Sequence, residues 1–253
     1  VQVTSEDGAI NTLVHLDNPG KPILLMEPGL AAHPNSLEVL AQLLYPYFDT
    51  WVGSWRGSTA INGKIVLGPK NGLKDVLRKD FPAHLRYLAR RYENQPQLAH
   101  GIALLGHSMG GMEIMGTLSD PKLEAEFRPL LQNAGIVLFQ SPHNVKHVHP
   151  LIKATAKAAL PALKFLKEQG VDYIDTHTKL LHYSKNAKKA GGFTGRVLVP
   201  TAENTVLAFT KIALNPIYTS RSKFREVFFK MAAHSIPVDL LIDFATAAAG
   251  DGE

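Results

Sequence analysis

The 253-residue sequence has no cysteine, which excludes disulfides, thiolate metal sites and a cysteine nucleophile and leaves the redox compartment unread. No apolar run approaches the length of a bilayer span, because Gly, Pro or His interrupts each long uncharged stretch; no transmembrane helix is expected within it. Val1 opens the chain, and no basic, apolar, small-residue leader pattern follows. The expectation is that a targeting peptide has been removed or was never present, and the compartment stays open. Little of the chain reads as disordered; only Ala247 to Glu253 does.

What is present fits one α/β domain with a cap rather than two independent domains. Charge is uneven. Residues 1–144 hold 12 bases against 13 acids, residues 145–230 hold 15 against five, and residues 231–253 hold four acids and no base. The net charge of +5 is therefore a basic segment on a nearly neutral remainder. Lys153, Lys157, Lys164 and Lys167 are spaced to share much of one helix face. Such a face is either simply solvated or a contact for anionic membrane surfaces and acidic substrates. Nucleic acid is not an expected partner, because no aromatic interleaving or binding motif accompanies the lysines.

Short apolar runs at Ile23 to Met26, Thr50 to Gly53, Ile102 to Leu105 and Ile136 to Phe139 predict parallel strands buried on both faces. Val1 to Leu16 alternates around Asp7-Gly8 and predicts an opening hairpin. Between the strands, Asn35-Ser36-Leu37-Glu38 offers a capping-box start for a helix to Leu44, and Leu73 to Tyr92 carries helical periodicity with a bend at Pro82. After Ser141-Pro142 the pattern turns helical, Lys-rich and strand-poor through Ser184. The predicted division is a core over residues 1–144 and a helical cap region over 145–253.

The chemistry centres on Gly106-His107-Ser108-Met109-Gly110-Gly111, which follows the apolar run ending at Leu105 and precedes the helical stretch Met112 to Leu118. A serine at the apex of a sharp strand-to-helix turn is the nucleophile-elbow pattern. The glycines let strand and helix pack closely beneath it, and the hydroxyl stands above the sheet. A serine hydroxyl needs a histidine to take its proton, a carboxylate to orient that histidine, and amide donors for the oxyanion. The motif supplies one donor, the N–H of Met109. His107 points away in such a turn and is read as a packing residue.

Several further blocks resemble the α/β-hydrolases, and within them the acid-lipase-like esterases and lipases. Ile23 to Leu30 looks like the strand ending in their His-Gly-Leu oxyanion loop, with Glu27-Pro28 where Val or Leu and His are usual. Phe48 to Thr59 is similar to their Asp-x-Trp-x-Gly-x-x-Arg-Gly strand and loop, and Lys79 to Ala83 to their Asp-x-Pro-Ala helix. The resemblance implies an α/β-hydrolase fold: a mostly parallel sheet with helices on both faces and a helical cap inserted after the sixth strand. It also implies that Leu30 supplies the second oxyanion donor. Arg56-Gly57 is read as bracing the loop beside the oxyanion hole, with substrate contact as the alternative. No cofactor and no metal is implied.

Two readings of the last third remain open. In one, Arg196 to Thr205 is a late strand and loop and His234 is the base, with Glu203 replacing the expected aspartate, because Thr205 stands in its place. In the other, Leu214 to Phe244 resembles the end of the family's cap, Gly250-Asp251-Gly252 matches its Asp-Gly segment, and the last strands with the catalytic Asp and His lie beyond Glu253, in a companion C-terminal segment. His143, His147 and His149 form a weak metal candidate without a thiolate or an H-E-x-x-H carboxylate. Trp51 and Trp55 are expected in the core. The function expected is hydrolysis of an apolar or lipid carboxylic ester through an acyl-enzyme on Ser108. The alternative is a non-catalytic hydrolase-fold protein that binds a hydrophobic ligand or partner, suggested by Thr205 and by the charge of Glu27 beside the oxyanion loop.

Overall fold

The computed structural model describes residues 1–30, 32–62, 64–141, 150–175, 181–183 and 235–250. These fall into two compact units, one within residues 1–70 and 74–141, the other comprising Asn71–Leu73 and the described residues from Pro150 onward. No described helix is long and apolar enough to cross a membrane.

In the first unit, β1 (Gln2–Thr4) and β2 (Ile10–Thr12) form the predicted hairpin, with Gly8 at φ 86° in its turn. The main sheet contains β3 (Val14–Leu16), β4 (Ile23–Glu27), β5 (Asp49–Val52), β6 (Ile102–His107) and β7 (Ile136–Phe139), in the order β3-β5-β4-β6-β7. Only β3 runs antiparallel. Every residue of β4 is buried because the strand is covered on both faces. Ile23 and Leu25 pack with Phe81, Leu85 and Ile114 on one side, whereas Leu24 and Met26 pack with Leu37 and Ala41 on the other.

The described helices of this stretch are α1 (Glu38–Leu44), α2 (Leu73–Asp75), α3 (Phe81–Arg91), α4 (Met109–Ser119) and α5 (Pro121–Leu131), of which α1, α3, α4 and α5 pack against strands. The first is entered through a 3-10 turn at Pro34–Leu37 capped by the His33 side chain, which accepts from the Asn35 amide at 3.2 Å. The expected capping box at Asn35 is thus displaced, since Pro34 and His33 already organise the entry. The predicted helix from Leu73 is interrupted by a π turn over Val76–Asp80. Its cause is local. Pro82 has no N–H to offer the Arg78 carbonyl, while Thr117 Oγ1 donates to the Leu77 carbonyl at 3.0 Å.

Strand β7 departs from expectation. It matches the predicted span, but Ile136, Val137 and Leu138 are exposed at 42%, 55% and 39%, because β7 is the edge of the described sheet and pairs only with β6.

The second unit is built on α6 (Pro150–Glu168) and α7 (Val238–Ala249). It is not strand-poor: β8 (Val171–Asp175), β9 (Leu181–Tyr183) and β10 (Ser235–Pro237) make an antiparallel sheet in the order β10-β8-β9. Val171-Asp172-Tyr173-Ile174-Asp175 carries a β-branched, aromatic run directly after Gly170 at φ 80°, a strand signal that the lysine-rich surroundings obscured. Ala247 to Ala249, expected to be disordered, close α7 against a left-handed Gly250, with Ala248 and Ala249 buried. Lys167 pairs with Asp239 at 2.8 Å, and Lys153 Nζ reaches Gly250, so part of the basic face serves this unit internally. Lys157 and Lys164 are exposed.

Candidate active site

Sheet topology singles out one place. After β4 the chain passes to β5 on one side, and after β6 to β7 on the other, so the carboxyl ends of the adjacent strands β4 and β6 flank a topological switch point. Open α/β sheets bind ligands there. Leu30 follows the end of β4, and Ser108 follows the end of β6.

Ser108 stands between β6 and α4 with φ 53° and ψ −114°, a conformation that costs a non-glycine residue on the order of 1–3 kcal/mol. The surroundings over-determine it. Its amide continues the β6–β7 ladder to the Phe139 carbonyl at 3.2 Å, while its carbonyl accepts from Gly111 and Met112 at 3.1 and 3.3 Å. Glycine is obligatory at three flanking positions. A Cβ on Gly106 would lie 2.5 Å from Gly111 Cα, one on Gly110 would lie 2.2 Å from the Glu27 carbonyl oxygen, and one on Gly111 would lie 1.8 Å from Ser141 Oγ. Helix α4 is therefore seated directly on the end of β4. Ser108 itself is half-buried.

The loop after β4 meets this turn closely. A Cβ on Gly29 would be 3.2 Å from both Ser108 Cβ and His107 Nδ1. The Gly29 carbonyl accepts from the Ala32 amide at 3.1 Å and from Trp55 Nε1 at 3.2 Å. In a trans peptide the C=O and the following N–H point in opposite directions, so two donors gripping the Gly29 oxygen fix the direction of the Leu30 N–H. Trp55 is buried, as expected, but its indole N–H adds a positioning contact that a tryptophan read only as core filling does not announce. Met109 begins α4, where the first N–H groups have no intrahelical partner.

The His107 ring lies beside Gly29, stacks on Phe139 at 4.7 Å between centroids, and has its Nε2 3.3 Å from Gln140 Oε1. Gln140 is itself at φ 51°, so two strained non-glycine residues sit at the ends of neighbouring strands. Among the described residues, the metal-type cluster is His15, Asp17 and Asp49. It is already bonded internally, since His15 Nε2 is 2.6 Å from Asp49 Oδ1 and Tyr92 OH donates to Asp49. Glu203, Thr205, His234, Asp251 and the His143, His147, His149 group lie outside the described residues.

Arg56 braces the neighbouring loop from within. It is wholly buried; its Nη2 donates to Asp80 at 2.6 Å, and its Nη1 to Asp7 and to the Lys70 carbonyl at 2.9 and 2.6 Å. Burial opposes its charge, but Asp80 and Asp7 outweigh that and raise its proton affinity above the ordinary arginine value. Burial likewise opposes the charge on Asp7, yet Arg56 and Lys79 hold its carboxyl below the ordinary range.

Glu27, whose charge beside the oxyanion loop counted against catalysis, is bonded elsewhere. Side chains alternate along a strand, so it shares the α3 side with Ile23 and Leu25, and its Oε1 lies 2.9 Å from His84 Nδ1. Both side chains are completely buried.

No family model matches the chain. A tear acid lipase-like protein of Mesocricetus auratus is 25% identical over 210 residues, covering 74% of this chain and 50% of that protein, so the chain spans about half the length of this curated relative. Among solved structures, a hydrolase from Pseudomonas aeruginosa PA01 is similar with a TM-score of 0.53 and 15% identity, covering 100% of this chain and 73% of that one. A thermophilic esterase from Thermogutta terrifontis gives a TM-score of 0.52 at 15% identity, over 98% of this chain and 72% of the other. A 1H-3-hydroxy-4-oxoquinoline 2,4-dioxygenase gives 0.59 at 11% identity, over 98% and 70%. Their names span different reactions, so the shared architecture does not choose among chemistries. What the likeness establishes is the architecture: this chain has the α/β-hydrolase fold.

Proposed function

We propose that this chain carries the nucleophile and oxyanion side of a serine hydrolase that cleaves carboxylic esters with an apolar acyl or alcohol part. The observation that carries this reading is the strained φ of Ser108 at the strand-to-helix turn, at the sheet's switch point. Strain of that kind persists where an exposed, pre-aimed side chain is needed. In the proposed reaction Ser108 Oγ attacks the ester carbonyl, and a histidine base takes its proton and later returns it to the leaving alcohol. The Met109 and Leu30 amides receive the oxyanion, the latter held in direction by Trp55. Water then cleaves the acyl-enzyme. The base and its carboxylate are either His234 and Glu203 or residues supplied by a further C-terminal segment.

The acid-lipase-like resemblance and the tear acid lipase-like relative support a lipid-type ester as substrate. The alternative of a non-catalytic binding protein loses one of its two supports, since the Glu27 carboxylate is engaged by His84 in the core. Exposed Lys164 keeps contact with an anionic surface as a secondary proposal.

A fluorophosphonate probe tests the reading on the folded 253-residue chain, with the adduct located by mass spectrometry. Labelling at Ser108, lost in Ser108→Ala, is expected if the base lies within the chain. Labelling that appears only when downstream residues are restored assigns the base to that segment. Failure of both folded forms to label overturns the proposal.

A further inference from the structure

A group of buried ionisable side chains lies under the turn, and the proposed reaction does not use it. Glu27, His84 and Glu113 come from β4, α3 and α4, and each is completely buried. One contact among them is direct, His84 Nδ1 to Glu27 Oε1 at 2.9 Å. Among the described residues, Glu27 Oε2, His84 Nε2 and both oxygens of Glu113 have no hydrogen-bond partner. Their proximity follows from the packing of α4. Gly110 abuts the Glu27 carbonyl and Cβ, and Glu113, three residues on, lies on the same helix face, followed by Thr117 facing Leu77.

Donor counting shows what this arrangement requires. Carboxylates only accept, and a neutral imidazole whose Nδ1–H is committed to Glu27 has only an acceptor left at Nε2. With both acids ionised and the imidazole neutral, all four unpartnered atoms are acceptors, and none of them has a donor among the described residues. One proton on Glu113 changes the count, since its O–H is then a donor among these acceptors.

We propose that Glu113, Glu27 and His84 form a buried acid–acid–imidazole group with one proton shared between the two carboxyls, and that this group positions the Leu30 loop and the Ser108 turn. Glu27 is the pivot. Its side chain is held by His84, and its backbone supports Gly110 and leads through Pro28 and Gly29 to Leu30. Burial first, then the charges of Glu27 and Asp80, push the Glu113 carboxyl well above the ordinary range, in keeping with a retained proton. The other charged groups around it are committed elsewhere. Asp80 is bound by Arg56, Lys79 pairs with Asp7 and Asp75, Arg78 with Asp120, Arg86 with Glu126 and Arg128 with Glu124.

The shared proton is independent of the ester-hydrolase reading; only its consequence for catalysis rests on that reading. The test is an infrared and ¹H–¹⁵N titration of the folded chain between about pH 5 and 10, a range that leaves ordinary carboxyls ionised. The expected result is a protonated-carboxyl C=O band at neutral pH that is lost in Glu113→Gln and shifted in Glu27→Gln. The Leu30 and Met109 amide signals should move with the same midpoint as the band, and that movement should vanish in Glu113→Gln. Absence of the band at neutral pH, or its survival in Glu113→Gln, overturns the shared proton. A band that titrates while both amides stay still overturns the positioning role. The wild-type titration alone decides both points should Glu113→Gln fail to fold. A chain that titrates as expected yet never labels at Ser108 refutes the nucleophile and not this group.

Discussion

Replacing Asp80 with alanine removes the acceptor that neutralises Arg56 inside the first unit. Asp80 accepts from Ser5 Oγ at 2.9 Å, from the Arg56 amide at 2.9 Å, and from Arg56 Nε and Nη2 at 3.0 and 2.6 Å. Neither Arg56 nor Asp80 is exposed to solvent. The variant leaves a guanidinium in the core with Asp7 as its remaining carboxylate. Removing one partner of a buried pair costs about 3–5 kcal/mol, and the surviving Asp7 contact places this case near the lower end. One kcal/mol is worth about 2–4 °C in a protein of this size, so Tm should fall by roughly 6–12 °C in a calorimetric scan. The companion variant, Arg56→Met with Asp80→Leu, removes both charges and should recover most of that loss, because the penalty belongs to the unpaired charge. A fall of less than about 3 °C for Asp80→Ala refutes the reasoning. So does a double variant as unstable as the single one.

Gly110→Ala places a methyl group against the Glu27 backbone and should abolish soluble folded protein or any Ser108 labelling, whereas Gly8→Ala, with open space around it, should cost only the strain of its turn; parallel expression and circular dichroism compare the two. Trp55→Phe keeps the buried ring and loses the bond to Gly29, so it should slow Ser108 labelling while costing about 1 kcal/mol or less beyond packing in urea unfolding. Stability should depend on pH through two groups of opposite sign. The stabilising contribution of a protonated Glu113, whose folded value is raised, is complete below the unfolded carboxyl value and is lost as pH rises through the folded one, and Glu113→Gln should flatten that decline. Asp7, whose folded value is lowered, contributes above its unfolded value and loses that contribution as pH falls through the folded one, so Asp7→Asn should flatten the acid limb of the same urea series.

The parallel strands were legible because burial on both faces demands continuous apolar residues, and Ile23 to Met26 can satisfy that demand in no other way. The Ser108 turn was legible for a related reason: only glycine fits at positions 106, 110 and 111, so geometry leaves its mark on composition. Exposure of β7 was not legible, since a run of Ile, Val, Leu and Phe is the same whether or not a neighbour covers it. Strand β8 was hidden by a local charge pattern that says nothing of backbone conformation. The partner of Glu27 was also out of reach, because His84 lies 57 residues away and meets it only once α3 has docked on the sheet. Trp55 belongs to the same class: its identity foretold burial, while the direction of its N–H came from tertiary structure.

The π turn at Val76–Asp80 has a consequence for how this segment can change in length. An extra residue in an α-helix turns everything after it by about 100°, whereas a π turn closes over one more residue and takes up the surplus as a local bulge. Within it, Leu77 faces Gly116 and Thr117, and Asp80 faces Arg56. The turn is thus tied to two different neighbours. Deleting one residue there would leave the length that an uninterrupted α-helix needs, so α3 would keep its face on the sheet while the contacts inside the turn change. The segment is the place where this helix absorbs a change in length, so that the helix following it need not turn.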